Sequence, residues 1–410
     1  MLKIALIGNS NIIDDFLKHW NNCTLSNLEF NIAKIYCVDD EFYSLENGGK
    51  ISKNVDEIFN DNGIEIVVEL MIDADEAFNI CKKALEKDKY LISTNRYLFL
   101  NKGSILENIC KIDESKYHYS NILGIARHLI FYEPKLSNDW KIVAILDDIP
   151  NMILTDIEKC KISFEEAINK LLQEKFNKMN IERELNGDYT IKKLALCILA
   201  KEKKQINLDS IHRTKLESID YEDINFAEER GYVINYVAFY ESNDNYNRAW
   251  VGPALLPAQI LIAKSEYNSL IYTEKNYMDI CLIEKITRKE SMHLICQDLY
   301  NICKKRNTYL GISGEYVDIR DENKFSSLYY FRIIMLENPH SVTDIVSVFI
   351  EANIMIKDLV IKKASLENHI NIFIVSYPIN EIDSNRILKL LKHKDLVKEA
   401  REFKILDFIK

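Results

Sequence analysis

The stretch that decides the fold is Leu2–Trp20, LKIALIGNSNIIDDFLKHW. Leu2 to Ile7 is apolar apart from Lys3, Gly8 follows at once, and apolar residues then recur at helical spacing over Ile12–Trp20. A strand, a tight turn and a helix in this order predict the start of a doubly wound α/β domain. The turn of such a domain carries small residues, so that the backbone can approach a pyrophosphate at the helix N-terminus. Here it reads Gly8-Asn9-Ser10-Asn11-Ile12-Ile13, with one glycine, a small Ser10, and Ile13 where close helix packing wants glycine. Gly8, Asn9, Ser10, Asn11 and Ile12 are therefore the candidate nucleotide-binding residues. A generic strand–turn–helix is the competing reading.

Working outward, a second strand is expected over Asn31–Val38, ending in Asp39 and Asp40. An acid at this place can receive the adenosine ribose of NAD and repel the extra phosphate of NADP, so Asp39 joins the candidate site. An exposed acidic loop is the plain alternative. Gly48-Gly49 marks a turn, and a further strand is read at Ile64–Leu70. A helix follows over Asp73–Asp88, then a strand at Tyr90–Ser93 that ends in Thr94-Asn95-Arg96. Strand ends in such sheets face the ligand crevice. Thr94 and Arg96 are accordingly candidates, with Arg96 suited to a carboxylate or phosphate. This first domain is read as residues 1–115.

The whole chain has 410 residues, 47% hydrophobic and 28% charged, which is the composition of a globular protein of two or three domains. A net charge of -10 without a dense basic block argues against nucleic acid. The nine cysteines are scattered without a CxxC pair, which predicts reduced thiols, a cytoplasmic setting, and neither a disulfide framework nor a metal site. No apolar run is long enough to span a membrane.

Further along, Tyr117–Ile122 and Trp140–Leu146 read as strands, Asn151–Ile157 as a helix, and Ser163-Phe164-Glu165-Glu166 as a capping box opening another. Asn186–Ala200, NGDYTIKKLALCILA, predicts a helix buried on most sides, with Lys192 and Lys193 at its first turns. One reading has both lysines reaching solvent; the other has one of them holding an anionic substrate. Tyr232–Phe239 reads as a strand. Val251–Ala263, with prolines at 253 and 257, is expected to be a buried irregular connection. From Ser327 the order is strand, helix, strand, strand, helix, strand, which is the ferredoxin-like split repeat. A domain of that kind leaves one sheet face open, so pairing with another copy is expected.

In this layout the chain resembles homoserine dehydrogenases of the longer bacterial form, over almost its whole length. The segments that carry the resemblance are VVELMIDADEAFNICKKALEKDKYLISTNR at 67–96, GDYTIKKLALCILA at 187–200, IDYEDINFAEERGYVI at 219–234 and YYFRIIMLENPHSVTDIVSVFIEANIMI at 329–356. The resemblance implies a Rossmann-like domain at 1–115, an α+β substrate and dimerisation domain at 116–310, a linker at 311–326 and an ACT domain at 327–410. It also implies NAD or NADP as cofactor, a homodimer or tetramer, a regulatory amino acid as ligand, and interconversion of aspartate 4-semialdehyde and homoserine.

Position by position, the motifs depart from the family. The family's threonine–alanine–asparagine–lysine run, whose lysine is implicated in catalysis, is Ser93-Thr94-Asn95-Arg96 here. Arginine keeps the charge but does not give up a proton at neutral pH. A substrate-binding glutamate falls on Ser120, followed by Asn121, and only Gly124 of the glycine-rich run beside the family's monovalent-cation site is kept. An asparagine–glycine–threonine–threonine–asparagine–tyrosine motif corresponds to Asp147-Asp148-Ile149-Pro150-Asn151-Met152, agreeing at Asn151 alone. An acidic substrate segment falls on Lys178 and Asn180. The catalytic aspartate falls on Tyr189, one position after Asp188, while the substrate-contacting lysine matches Lys193. A cofactor element falls on Lys285-Ile286-Thr287.

The resemblance thus gives Arg96 and Lys193 as catalytic positions and Ser120 and Tyr189 as altered slots. Asn121, Gly124, Asn151, Lys178, Asn180, Asp188 and Lys193 line the implied substrate site. Three readings follow: a homoserine dehydrogenase working through Arg96 and Lys193, a catalytically silent protein that binds an amino acid or partner subunit, and an oxidoreductase for another small amino-acid-like substrate. The joint loss of glutamate, aspartate, lysine and glycine positions favours the second.

Overall fold

A computed structural model describes residues 1–22, 30–39, 50–111, 113–131, 137–146, 148–174, 176–217, 219–265, 268–284, 288–306 and 309–406. The chain divides into two compact units interleaved in sequence. One comprises residues 1–136, 192–208 and 284–317; the other comprises 137–191, 209–283 and 318–410.

The first unit begins with β1 (Leu2–Gly8), α1 (Ser10–Asn21), β2 (Phe30–Cys37), β3 (Lys50–Ile51), α2 (Asp56–Phe59), β4 (Ile66–Leu70), α3 (Ala74–Glu86), β5 (Tyr90–Ser93), α4 (Arg96–Ile109), β6 (Tyr117–His118) and α5 (Ser120–Leu123). Its six strands are parallel in the order β3-β2-β1-β4-β5-β6. That is the doubly wound arrangement expected from Leu2–Trp20. The strand read over Tyr117–Ile122 stops at His118, because the chain turns into α5 at Ser120.

The second unit contributes β7 (Trp140–Ile145), α6 (Asp148–Cys160), α7 (Phe164–Gln173) and α8 (Lys178–Leu185). The capping box at Ser163 and Glu166 opens α7 as read. α9 (Asp188–Glu202) follows, and Leu194 to Ala200 are all buried in it. Next come β8 (His212–Arg213), α10 (Tyr221–Glu229), β9 (Tyr232–Asn243), β10 (Tyr246–Pro257), β11 (Asn268–Glu274) and β12 (Met278–Glu284). α11 (Arg288–Cys303) returns to the first unit, where Ile295, Cys296 and Leu299 share a core with Phe16, Leu17 and Trp20 of α1 and with Ile4, Leu6, Val68 and Ile92 of the sheet. Each such side chain contributes roughly 1.5–3 kcal/mol on full burial, so α1 is fixed in place by its apolar face.

The chain ends with β13 (Ser326–Leu336), α12 (Ser341–Glu351), β14 (Ile356–Lys363), β15 (His369–Ser376), β16 (Ile379–Asn380), α13 (Glu381–Lys392) and β17 (Val397–Ile405). These strands join β7 to β12 in one large mixed sheet of order β12-β11-β7-β9-β10-β17-β13-β15-β14. The stretch Val251–Ala263 is therefore not irregular at its start: β10 runs through Pro253, and Pro257 ends it. Strands β17-β13-β15-β14 follow the order of a split βαββαβ unit, with Ile345, Phe349, Ile387 and Leu391 of α12 and α13 in its core.

The open sheet face expected there is covered within the same unit. Phe226 of α10 stacks on Tyr330 and Phe373, with centroids 5.2 and 4.4 Å apart. Arg332, 3% exposed, pairs with Asp220, Glu222 and Asp223, and Arg401 with Asp220 and Asp223.

Candidate functional site

The crevice of the first unit lies at the C-terminal ends of β1, β4 and β5. Gly8 ends β1 under strict packing, since a Cβ there would sit 2.1 Å from the Leu70 carbonyl oxygen. The glycine is thus required by the neighbouring strand itself. Asn9 donates its backbone N–H to Leu70 O at 3.0 Å, and its side-chain oxygen accepts from Ile72 N at 2.8 Å. Asn9 is consequently spent on β4, and its side chain does not cap α1.

The cap comes from Asp39 instead. Its carboxylate accepts the Ser10 backbone N–H at 2.9 and 3.1 Å, the Ser10 hydroxyl at 3.2 Å and the Asn9 side-chain amide at 3.4 Å. A helix N-terminus attracts an anion through its dipole and its unpaired N–H groups. Here an anion of the protein's own chain sits there. Asn11 and Ile12 continue α1 as an exposed and a half-buried residue.

One organising residue of this crevice was not singled out from sequence. Glu69, fully buried in β4, accepts from Met71 N at 2.6 Å, Ser93 Oγ at 2.7 Å, Thr94 N at 3.0 Å and Asn95 N at 3.3 Å. Burial raises its pKa despite these four donors. Thr94 also donates its hydroxyl to the Glu69 carbonyl. Asn95 accepts from Leu98 N as the cap of α4, and its amide donates to Met71 O and Ile72 O. The end of β5 is thereby clamped to β4, and Arg96 enters α4 half-buried, with Nε 3.5 Å from Ile122 O. The signal was a lone carboxylate inside the apolar run VVELM at 67–71.

At Ser120, which opens α5, the backbone N–H donates to Asp298 Oδ2 at 2.9 Å. Asp298 was also missed, although a carboxylate spaced among Ile295, Leu299 and Ile302 lies on the buried face of α11. Its Oδ1 is buried without a hydrogen-bond partner, and burial pushes its carboxyl up to about 7. Asn121 is half-buried in α5. Gly124 ends α5 at φ 53, a backbone region that suits glycine, and its carbonyl accepts from Arg127 at 2.6 Å. Arg127 forms a two-pronged ion pair with Glu284. Burial pushes the Glu284 carboxyl up, but hydrogen bonds from His128 and Arg127 together with the Arg127 charge bring it down to about 2.

In the second unit, Asp188 at the start of α9 is paired with Arg213 and Arg183, and the Arg183 guanidinium lies 5.3 Å from the Tyr189 ring centre. Asn151 forms a reciprocal pair with the backbone of Tyr236, accepting its N–H at 2.9 Å and donating to its carbonyl at 3.3 Å. Lys178 and Asn180 are exposed on α8. Further along α9, in the first unit, Lys192 lies 5.7 Å from the Tyr97 ring centre, and Lys193 is half-buried near Cys197. Burial pushes the Cys197 thiol up to about 12, against the influence of Lys193. Asp147 and Lys285-Ile286-Thr287 lie outside the described residues.

The donor set does not fit a bound dinucleotide in the usual manner, because the Ser10 N–H that would face a pyrophosphate is already bonded to Asp39. Among the described residues no group of three or more His, Cys, Asp or Glu could hold a metal, and no helix is long and apolar enough to cross a membrane.

Comparison with known proteins shows what the chain is similar to. The family profile of homoserine dehydrogenase matches residues 135–291. Homoserine dehydrogenase from Bacillus subtilis (strain 168) is 23% identical over 371 residues, 86% of this chain and 84% of that protein. The Helicobacter pylori (strain ATCC 700392 / 26695) enzyme is 20% identical over 360 residues, 84% and 83% of the two chains. Among solved structures, a homoserine dehydrogenase from Thiobacillus denitrificans superposes with a TM-score of 0.80 at 16% identity, covering 99% of this chain and 98% of that one. The S. aureus enzyme at pH7.5 gives 0.76 at 18% identity, with 99% of each chain covered.

Proposed function

We propose that this chain is a member of the homoserine dehydrogenase family, to which its profile match and relatives point, and that the scaffold is retained while the hydride-transfer chemistry is not, leaving a protein that binds a small amino acid or a partner subunit. The observation that carries this reading is the Asp39 carboxylate on the Ser10 N–H at the start of α1. The family reaction passes hydride between nicotinamide and an aldehyde, so it needs a cradle for the dinucleotide phosphates. A carboxylate in that cradle has to leave before a pyrophosphate can enter, and the two repel each other meanwhile.

The remaining substitutions point the same way. An acidic residue that could grip a substrate ammonium is present at Asp188, but Arg183 and Arg213 already neutralise it. Tyr189 supplies no carboxylate, and Arg96 keeps its proton. Ser120 supplies no carboxylate and is bonded to Asp298 through both its backbone N–H and its side chain. The βαββαβ segment is assigned as an ACT-like domain, with dimerisation as its role, and the cytoplasm as the setting of the reduced thiols. The test is a thermal-shift titration with NAD(H) and NADP(H), alongside threonine, methionine and lysine. The proposal expects no shift from any nucleotide; stabilisation by a nucleotide at micromolar concentration, with turnover, would overturn it.

A second reading keeps the enzyme alive on homoserine or another small amino-acid-like substrate. It rests on the Glu69 clamp, which still delivers Thr94 and Arg96 to the strand end, and on Lys193. In that case Arg96 would stabilise an oxyanion and Lys193 would contact the substrate carboxylate. A dehydrogenase screen across amino and hydroxy acids separates the two.

A further inference from the structure

We propose that the fork between β10 and β17 is a docking site for an extended acidic peptide segment of a partner protein, which adds as a strand to the free edge of β17. The fork has a sequence cause. β10 pairs in parallel with β17 only at Ala254↔Lys404 and Leu255↔Ile405, with Leu406 N donating to Leu255 O. In a parallel ladder one residue bonds to two alternate residues of its neighbour, so the next rung back belongs to residue 253 and would donate to Glu402 O. Residue 253 is proline, which has no N–H to donate. The ladder therefore stops at 254. Upstream, the same edge of β10 serves β8 instead, through Trp250↔His212, Val251↔Arg213 and the bond from Thr214 N to Val251 O.

The consequence is an open strand edge inside a groove. Alternation along β17 places the N–H and C=O of Ala400 and Glu402 on the side that faces β10, while their neighbours face β13. Among the described residues no backbone bond reaches that edge. Glu402 is half-buried on this edge and lines the groove, and backbone groups withdrawn from bulk water are nearly always paired. The groove beside them has a volume of about 510 Å³ and is bounded by Thr214, Lys215, Pro253, Leu388, Lys392 and β17 itself. Strand addition supplies what is missing, since main-chain bonds give the affinity and alternate side chains the selectivity.

The charge of the rim selects the occupant. Lys215, Lys392 and Lys398 are exposed around the groove. Of the acids there, Glu399 is engaged by Arg401, and Glu402 accepts from Ser384. Only Glu217 stands against the three lysines on the rim among the described lining residues. A segment with acids on one side and small apolar residues on the other, facing Leu388 and Val397, is complementary.

The test uses the full chain and a fluorescein-labelled peptide of alternating glutamate and valine, with fluorescence anisotropy as the readout. The alternating lysine–valine peptide and an alternately N-methylated glutamate–valine peptide serve as comparators. The proposal expects the acidic peptide to bind at least about tenfold more tightly than the basic one, N-methylation to abolish binding, and the triple variant Lys215→Glu, Lys392→Glu, Lys398→Glu to reverse the charge preference. Amide exchange over 398–403 should slow on binding. No binding of the acidic peptide up to millimolar concentration, or binding indifferent to N-methylation, would overturn it. So would amide exchange over 398–403 that is already slow in the concentrated free protein and quickens on dilution, which would put a second copy of the chain on this edge.

Discussion

Replacing Asp298 by asparagine should flatten part of the pH dependence of stability in the first unit. The Asp298 carboxyl is fully buried, bonded through Oδ2 to Ser120 N, and burial raises it from its ordinary 3.8 to about 7. A raised carboxyl holds its proton in the folded state where the unfolded chain has already lost it. Its contribution is therefore complete below the unfolded value and is lost as pH rises towards 7. A rise of about three pH units at ~1.4 kcal/mol each amounts to roughly 4 kcal/mol in all, of which roughly 2–3 kcal/mol falls between pH 5 and pH 8. Asparagine keeps an oxygen for the Ser120 N–H and cannot ionise. Urea titrations of parent and Asp298→Asn at both pH values, read by pulsed hydrogen exchange on β1 and β4, give the free-energy gap between them. All other titrations are common to both proteins and cancel. The gap should move by roughly 2–3 kcal/mol in favour of the variant from pH 5 to pH 8. An unchanged gap would refute the reasoning.

Arg332→Met should cost about 3–5 kcal/mol at neutral pH, because it strips Asp220, Glu222 and buried Asp223 of one guanidinium; chemical unfolding of the second unit measures it. Asn151→Ala should lower stability by about 1–3 kcal/mol by removing both bonds to the Tyr236 backbone. If Asn151 instead served a ligand, the variant would keep its melting temperature and lose binding. Gly8→Ala should destabilise by roughly 1–3 kcal/mol or more through the clash with the Leu70 carbonyl; a thermal melt within experimental error of the parent would contradict the packing role.

The doubly wound sheet was legible because its signals are local: an apolar strand, a glycine turn and a helical repeat all fall within Leu2–Trp20. The buried helix around Leu194–Ala200 and the capping box at Ser163 were legible for the same reason. Val251–Ala263 misled because proline breaks a helix anywhere, whereas at a strand edge it removes only the bond on one side, and Pro253 faces the fork. The covered face of the C-terminal sheet was invisible because Phe226 meets Tyr330 across a hundred residues of sequence. At the candidate site, the sequence places Asp39 near the turn as an acid following the second strand. Its actual contact, the Ser10 N–H, depends on how the end of β2 approaches α1. Glu69 escaped notice because three of its four donors, Ser93, Thr94 and Asn95, reach it only once β4 and β5 pair.

The central claim is that the nucleotide cradle at the start of α1 is closed by the chain's own Asp39. Nicotinamide absorbance during incubation of the purified protein with aspartate 4-semialdehyde and either NADH or NADPH tests it most directly. The account predicts no protein-dependent oxidation of either cofactor. Steady turnover with saturation in the nucleotide would contradict it.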